Sequence, residues 1–162
     1  VGNVQSRHFQ QGDKIMKKLY FAGGWFNPKQ EEEHTRIGNF LESLKKFDIF
    51  NPRTAGGDFK AGVETDHMTQ VLMNNINAIQ ESDVVLAITD YKDMGTLWEC
   101  GFAYANNKPI IYYCETLGDN PFNLMLAKTG KVAKDVDELI EILQDKQSFV
   151  FSKTHSYKGV IE

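Results

Sequence analysis

Ten consecutive residues near the middle of the chain, Asp90-Tyr91-Lys92-Asp93-Met94-Gly95-Thr96-Leu97-Trp98-Glu99, carry three carboxylates. Carboxylates gathered at the mouth of a crevice suit glycosyl chemistry. One attacks or stabilises a sugar cation, and an acid protonates the leaving group. Glu99 is the candidate for the first task. Thr96-x-x-Glu99 is also a capping box, an ordinary signature of a helix start. The two readings are compatible, because a carboxylate in the first helical turn lies near the positive end of the dipole. That placement predicts an ionised Glu99, and an ionised carboxylate is what a nucleophile requires.

A second stretch, Tyr20-Phe21-Ala22-Gly23-Gly24-Trp25-Phe26-Asn27, pairs two glycines with two large aromatics. Gly23 and Gly24 let a backbone approach a ligand closely. The full G-x-G-x-x-G phosphate fingerprint is absent. Trp25 and Phe26 would crowd a pyrophosphate and suit a flat apolar surface such as a base or sugar face. The same residues also read as a tight turn with both aromatics packed inward. Elsewhere, Asp119-Asn120-Pro121 reads as a turn or cap before a short helix, with Asn123 solvated. Glu31, Glu32 and Glu33 read as a solvated helix face. His8, His34, His67 and His155 have no partner arguable from spacing and read as structural.

The elements that must position these residues alternate. Lys18 to Ala22 is β-prone, and Pro28 suits the first turn of a helix. Ile37, Phe40, Leu41, Leu44 and Phe47 follow at helical spacing. A second strand starts at Ile49 and stops at Asn51-Pro52. Arg53 to Gly62 is a loop. Val63 to Gln80 is a helix with Val71, Leu72, Ile76 and Ile79 on one face. Val84 to Thr89 is a buried strand. Asp90 to Gly95 is a loop and Thr96 to Asn106 a helix. Ile110 to Cys114 and Lys131 to Ala133 are further strands, and Asp135 to Gln144 a last helix. This alternation implies an α/β fold: a doubly wound five-stranded parallel sheet of flavodoxin-like order 2-1-3-4-5, with helices on both faces. Ligands bind such sheets at the switch between strands 1 and 3, outside the carboxyl ends. The loops after strand 1 and after strand 3 must therefore meet.

With 162 residues the chain suits one domain that buries a core without staples. Three segments are expected: residues 1–15 as an expression remnant or disordered extension, 16–147 as a catalytic α/β domain, and 148–162 as a tail that could complete a neighbouring active site. A net charge of −4 supplies no field for nucleic acid or anionic lipid, so no nucleic-acid polymer and no membrane is expected as a partner. Cys100 and Cys114 make no disulfide framework, no Cys/His spacing suggests a metal, and no apolar run spans a bilayer. The cytoplasm is the compartment these features suit.

Taken together, YFAGGWF (Tyr20 to Phe26), ESDVVLAI before the loop with Asp93, GTLWECGFAYANNKPII (Gly95 to Ile111) and PFNLM (Pro121 to Met125) resemble the nucleoside 2-deoxyribosyltransferases. The resemblance runs from about Lys18 to Leu143, and its strength lies in the order of the motifs. It implies that Glu99 is the nucleophile and forms a deoxyribosyl ester. By the same resemblance Tyr20 holds that carboxylate and Asp93 engages the base and helps supply a proton. Asn123 and Met125 would reach the active site of a neighbouring subunit, Asn123 toward the sugar 5′-hydroxyl. The family implies a homo-oligomer, a hexamer of dimers, without metal or organic cofactor. Deoxynucleosides and free nucleobases are the substrates it implies, and the product keeps its configuration after two inversions.

Asn75 stands where many members of that family have an aspartate. An amide can hydrogen-bond a base but has no carboxyl proton to give. The loop Thr54 to Gly62, which includes Asp58, does not match the family's glutamine-bearing loop. The segment Gly23 to Pro28 has neither Ser nor Arg for a 5′-phosphate, which favours a nucleoside over a nucleotide. Tyr20 and its neighbours are expected to leave no room for a 2′-hydroxyl. Two other readings stand beside transfer. One is an N-hydrolase of deoxynucleosides or deoxynucleotides in the same superfamily. The other is a non-catalytic nucleoside-binding module, in which Glu99 only caps a helix.

Overall fold

A computed structural model describes residues 15–55 and 65–162. The leader read over residues 1–15 lies outside the described residues except for its last position, and Asp58 with its glycine-rich surroundings lies outside them too. β1 (Lys17–Ala22), β2 (Phe47–Phe50), β3 (Val84–Ile88), β4 (Ile110–Tyr113) and β5 (Lys131–Ala133) form one sheet. All pairs are parallel and the order is β2-β1-β3-β4-β5, as expected from the alternating pattern.

Side chains alternate across each strand, so neighbours in sequence face opposite layers. Leu19 and Phe21 join Ile37, Leu86, Tyr113 and Leu139 on one side. Tyr20 and Ala22 join Val85, Ala87, Cys100, Ala103 and Tyr112 on the other. Helices α1 (Pro28–Ser43) and α6 (Val136–Gln144) cover the first face. Helices α3 (Thr65–Glu81) and α4 (Met94–Ala105) cover the second. The short helix α2 (Pro52–Ala55) follows β2, and α5 (Leu124–Thr129) leads into β5.

Several local expectations shift. The first helix ends at Ser43, and Lys45 takes the left-handed conformation at φ 51°. Phe47 therefore belongs to β2, paired with Lys17, and is not a fifth helical position. Glu31 and Glu32 are exposed, but Glu33 is buried. The acidic triplet is thus not one solvated face, because a step of three from Gln30 turns residue 33 inward with Ile37. Leu72 is exposed on α3 and not part of its packed face. The tail folds back on its own domain: Ile161 bridges Phe122, and the Leu124 N–H donates to the Glu162 carbonyl at 2.8 Å. Cys100 and Cys114 are buried thiols. Among the described residues no helix is long and apolar enough to cross a membrane.

Candidate active site

Tyr20 sits in the middle of β1 with its side chain on the α4 face, and it is fully buried. Its hydroxyl donates to Glu99 Oε1 at 2.6 Å, a short bond of the kind a carboxylate acceptor makes. The Tyr20 ring stacks on Phe50 of β2, with centroids 5.5 Å apart, which holds the hydroxyl's direction. Burial pushes the Tyr20 phenol far above its usual range, and the adjacent Glu99 carboxyl pushes the same way. The phenol therefore stays a donor at any working pH.

Glu99 is not in the first turn of its helix. Asp93 is the N-cap of α4, and its Oδ2 accepts from the Thr96 backbone N–H at 2.8 Å and the Thr96 hydroxyl at 2.9 Å. The cap is therefore three residues earlier than the Thr96-x-x-Glu99 box implied. Glu99 lies in the second turn, beyond the reach of the unsatisfied N–H groups that make the helix end positive. Its carboxyl is consequently not held low. Burial raises it to about 7; the Tyr20 hydrogen bond pulls down and the nearby Asp93 pushes up. The group is poised close to neutrality, where a modest change in surroundings sets its charge.

The loops after β1 and β3 do meet. Gly24 and Asp93 line one small cleft together with Gln30, Glu33, Ile88 and Tyr91. Gln30 was not legible as a site residue in the sequence. It is buried, and its Oε1 accepts from the Phe26 N–H at 3.0 Å, fixing the glycine loop. A Cβ at Gly24 would meet Gln30 Nε2 at 2.8 Å, so this position tolerates only glycine without a shift. At Gly23 the obstacle is the His34 Nδ1, at 2.9 Å. His34 is buried, packs against Phe21 and Trp25, and binds Asn51 through Nε2 at 3.1 Å. Desolvation by burial holds its pKa below the usual value, which suits a structural histidine. Lys92 turns the second loop with φ 48°, an uncommon conformation for a residue with a side chain.

The remaining candidates lie around this centre. Trp25 and Phe26 stack at 5.0 Å, with Trp25 half-buried and Phe26 exposed, so they are not both packed inward. Asn75 is half-buried on α3, on the Tyr20 side of the sheet. Asn123 is the N-cap of α5, accepting from the Met125 and Leu126 N–H groups, and is exposed. Met125 is 67% exposed. Neither is enclosed within its own protomer. Among the described residues no group of His, Cys, Asp and Glu is arranged to hold a metal ion.

A family model described as nucleoside 2-deoxyribosyltransferase matches residues 19–135. The nucleoside deoxyribosyltransferase of Lactobacillus leichmannii is 26% identical over 159 residues, which cover 90% of this chain and 98% of that protein. Among solved structures, a 2-deoxyribosyltransferase from Bacillus psychrosaccharolyticus is similar with a TM-score of 0.68 at 24% identity, covering 83% of this chain and 97% of that one. A CMP N-glycosidase from Clostridium botulinum is similar with a TM-score of 0.50 at 20% identity, covering 79% and 98%. The two structural likenesses are of fold.

Proposed function

Because the chain belongs to the nucleoside 2-deoxyribosyltransferase family, we propose that it moves 2-deoxyribose between nucleobases through an ester formed on Glu99. The observation that carries this reading is the bond between the buried Tyr20 and the half-buried Glu99, 2.6 Å long, with Asp93 near enough to act on the Glu99 charge. Breaking the N-glycosidic bond develops positive charge at C1′ and negative charge on the base. A Glu99 oxygen attacks C1′, the C1′–N bond breaks, and the base leaves with the electron pair. Asp93 engages that base and helps deliver its proton. A nitrogen of the second base then attacks C1′, loses its proton, and frees the Glu99 carboxylate. Two inversions return the original configuration.

Tyr20 keeps one Glu99 oxygen occupied and so aims the other. Gly23, Trp25 and Phe26 supply the flat surface for the base or sugar, and Asn75 is the polar group offered from α3. Asn123 and Met125 are exposed at the start of α5, where they suit a neighbouring protomer's site in a homo-oligomer. The tail, tied to Phe122, belongs to the same corner. The cytoplasm fits a nucleoside substrate and two buried thiols.

Glu99→Ala and Glu99→Gln should each lower base exchange between a deoxynucleoside and a free base about 10³-fold or more, the scale expected when covalent catalysis is lost. Residual exchange above a few per cent would contradict the nucleophile role. A covalent sugar adduct in the mass spectrum of the wild type excludes a mere binding module. Release of free deoxyribose at the same rate with and without acceptor base would instead mark a hydrolase. Ribonucleosides should react more slowly than deoxynucleosides.

A further inference from the structure

Glu33 is an acidic side chain in a place that ordinarily excludes one. It is 4% exposed, and both carboxyl oxygens are enclosed without a hydrogen-bond partner from the chain. It forms one wall of a small cleft, whose other walls include Tyr91 and Asp93 from the loop after β3. The charged and titratable groups around it are mostly acidic. Asp90 and Tyr91 come from that same loop, Cys114 and Glu115 from the end of β4, and Arg36 from its own helix. Arg36 is engaged elsewhere, 2.5 Å from Glu115. Asp90 is anchored through its own oxygens by the N–H groups of Glu115 at 3.2 Å and Thr116 at 2.6 Å. A carboxyl buried as deeply as Glu33, with the half-buried Asp90 facing it, cannot ionise cheaply.

We propose that Glu33 is a positioning residue: its carboxyl stays protonated, shares that proton with Asp90, and so ties α1 to the loop that carries Asp93. Rotation about the terminal torsion of Glu33, a soft degree of freedom, lays its O–H onto the Asp90 carboxylate. With Asp90 already bound to the chain after β4, one proton links α1 and two loops at the crest of the sheet. When it leaves, residues 33 and 90 repel and the loop bearing Tyr91 and Asp93 loosens. The activity side of this proposal rests on the transferase reading; the proton itself does not.

Burial, then Asp90 and Glu115, raise the Glu33 pKa from 4.5 to about 9, with Arg36 opposing. The native state therefore holds an extra proton across that window, and its stabilisation drains as pH rises from about 5 to about 9. Glu33→Gln keeps shape and a donor but cannot ionise. Melting temperatures of the whole chain, measured from pH 5 to pH 10, should show Glu33→Gln gaining on the wild type with each pH step up to about 9 and then levelling. Asp90→Asn, which removes the facing charge but not the burial, should flatten the wild-type slope only in part. Parallel curves for the wild type and both variants would overturn the proposal. In base exchange, Glu33→Gln should match the wild type at neutral pH and lack its loss of kcat/KM near pH 9, while Glu33→Ala should be about tenfold weaker throughout. Substrate ionisation is common to all three and cancels. Inactivity of Glu33→Gln at neutral pH would overturn the positioning role. Activation of the wild type, but not of Glu33→Gln, by potassium or ammonium would put a cation in the cleft and overturn the shared proton. If no transfer occurs at all, the functional reading fails while the melting curves still decide the proton.

Discussion

Tyr20 reaches Glu99 because of strand parity. Shifting it by one position would send its hydroxyl to the α1 face, where no carboxylate of α4 waits. Burial then sets the chemistry, placing the Glu99 carboxyl at about 7. Attack requires the ionised form, so transfer should rise as pH increases through about 7 and fall below it. Tyr20→Phe removes the bond that pulls this value down, so the acid limb of the pH profile should move to higher pH. Asp93→Asn removes the like charge, and the limb should move to lower pH. Identical limbs in all three proteins would show that another group controls the profile. The same shift has a stability consequence. A carboxyl raised in the folded state from 4.5 to about 7 contributes stability that is lost as pH rises through that window. Glu99→Gln, which cannot ionise, should therefore be more stable than the wild type at pH 8, by on the order of 2–3 kcal/mol. Denaturant melts at pH 5 and pH 8 check this, and the gain should shrink toward pH 5.

At the scale of elements, α4 begins three residues earlier than the capping-box reading implied, and Asp93 has two tasks. It caps the helix through Thr96, and it places a charge near Glu99. The tasks separate by substitution. Asp93→Ala should cost about 1 kcal/mol of stability from the lost cap. Asp93→Asn should cost only a few tenths, because asparagine caps about as well. If both variants lose the same stability, the cap is not what holds this helix start. Transfer should fall in both if Asp93 has the proposed role at the base, since neither retains its carboxyl. The left-handed Lys92 and the buried Gln30 shape the two loops between which this carboxyl lies.

For the molecule as a whole, apolar side chains stand exposed around the site's rim. Met94 is 84% exposed and Trp98 52%, the latter stacked on Phe102 along the outer side of α4. Grouped exposed aromatics and methionines of this kind mark surfaces that partners cover. The proposed homo-oligomer would place a second copy of the chain over this surface and over the exposed Asn123 and Met125. Trp98→Glu and Met125→Glu should each shift the protein toward smaller species in sedimentation. Transfer should fall with them if the neighbour completes the site. Full-size assemblies in both variants would remove these residues from the interface.

Local chemistry in the chain was sufficient for the order of elements, the parallel sheet and the crevice where two loops meet. Those follow from hydrophobic period and turn residues, which act over a few positions. The family motifs likewise lie in short runs, which is why Tyr20, Asp93 and Glu99 stand out in the sequence as candidates. Contacts between distant residues are a different matter. Burial of Glu33, the bond from Gln30 to the Phe26 amide and the near-neutral carboxyl of Glu99 all depend on what packs across the sheet. Desolvation is set by neighbours far apart in the chain, and no local pattern encodes it.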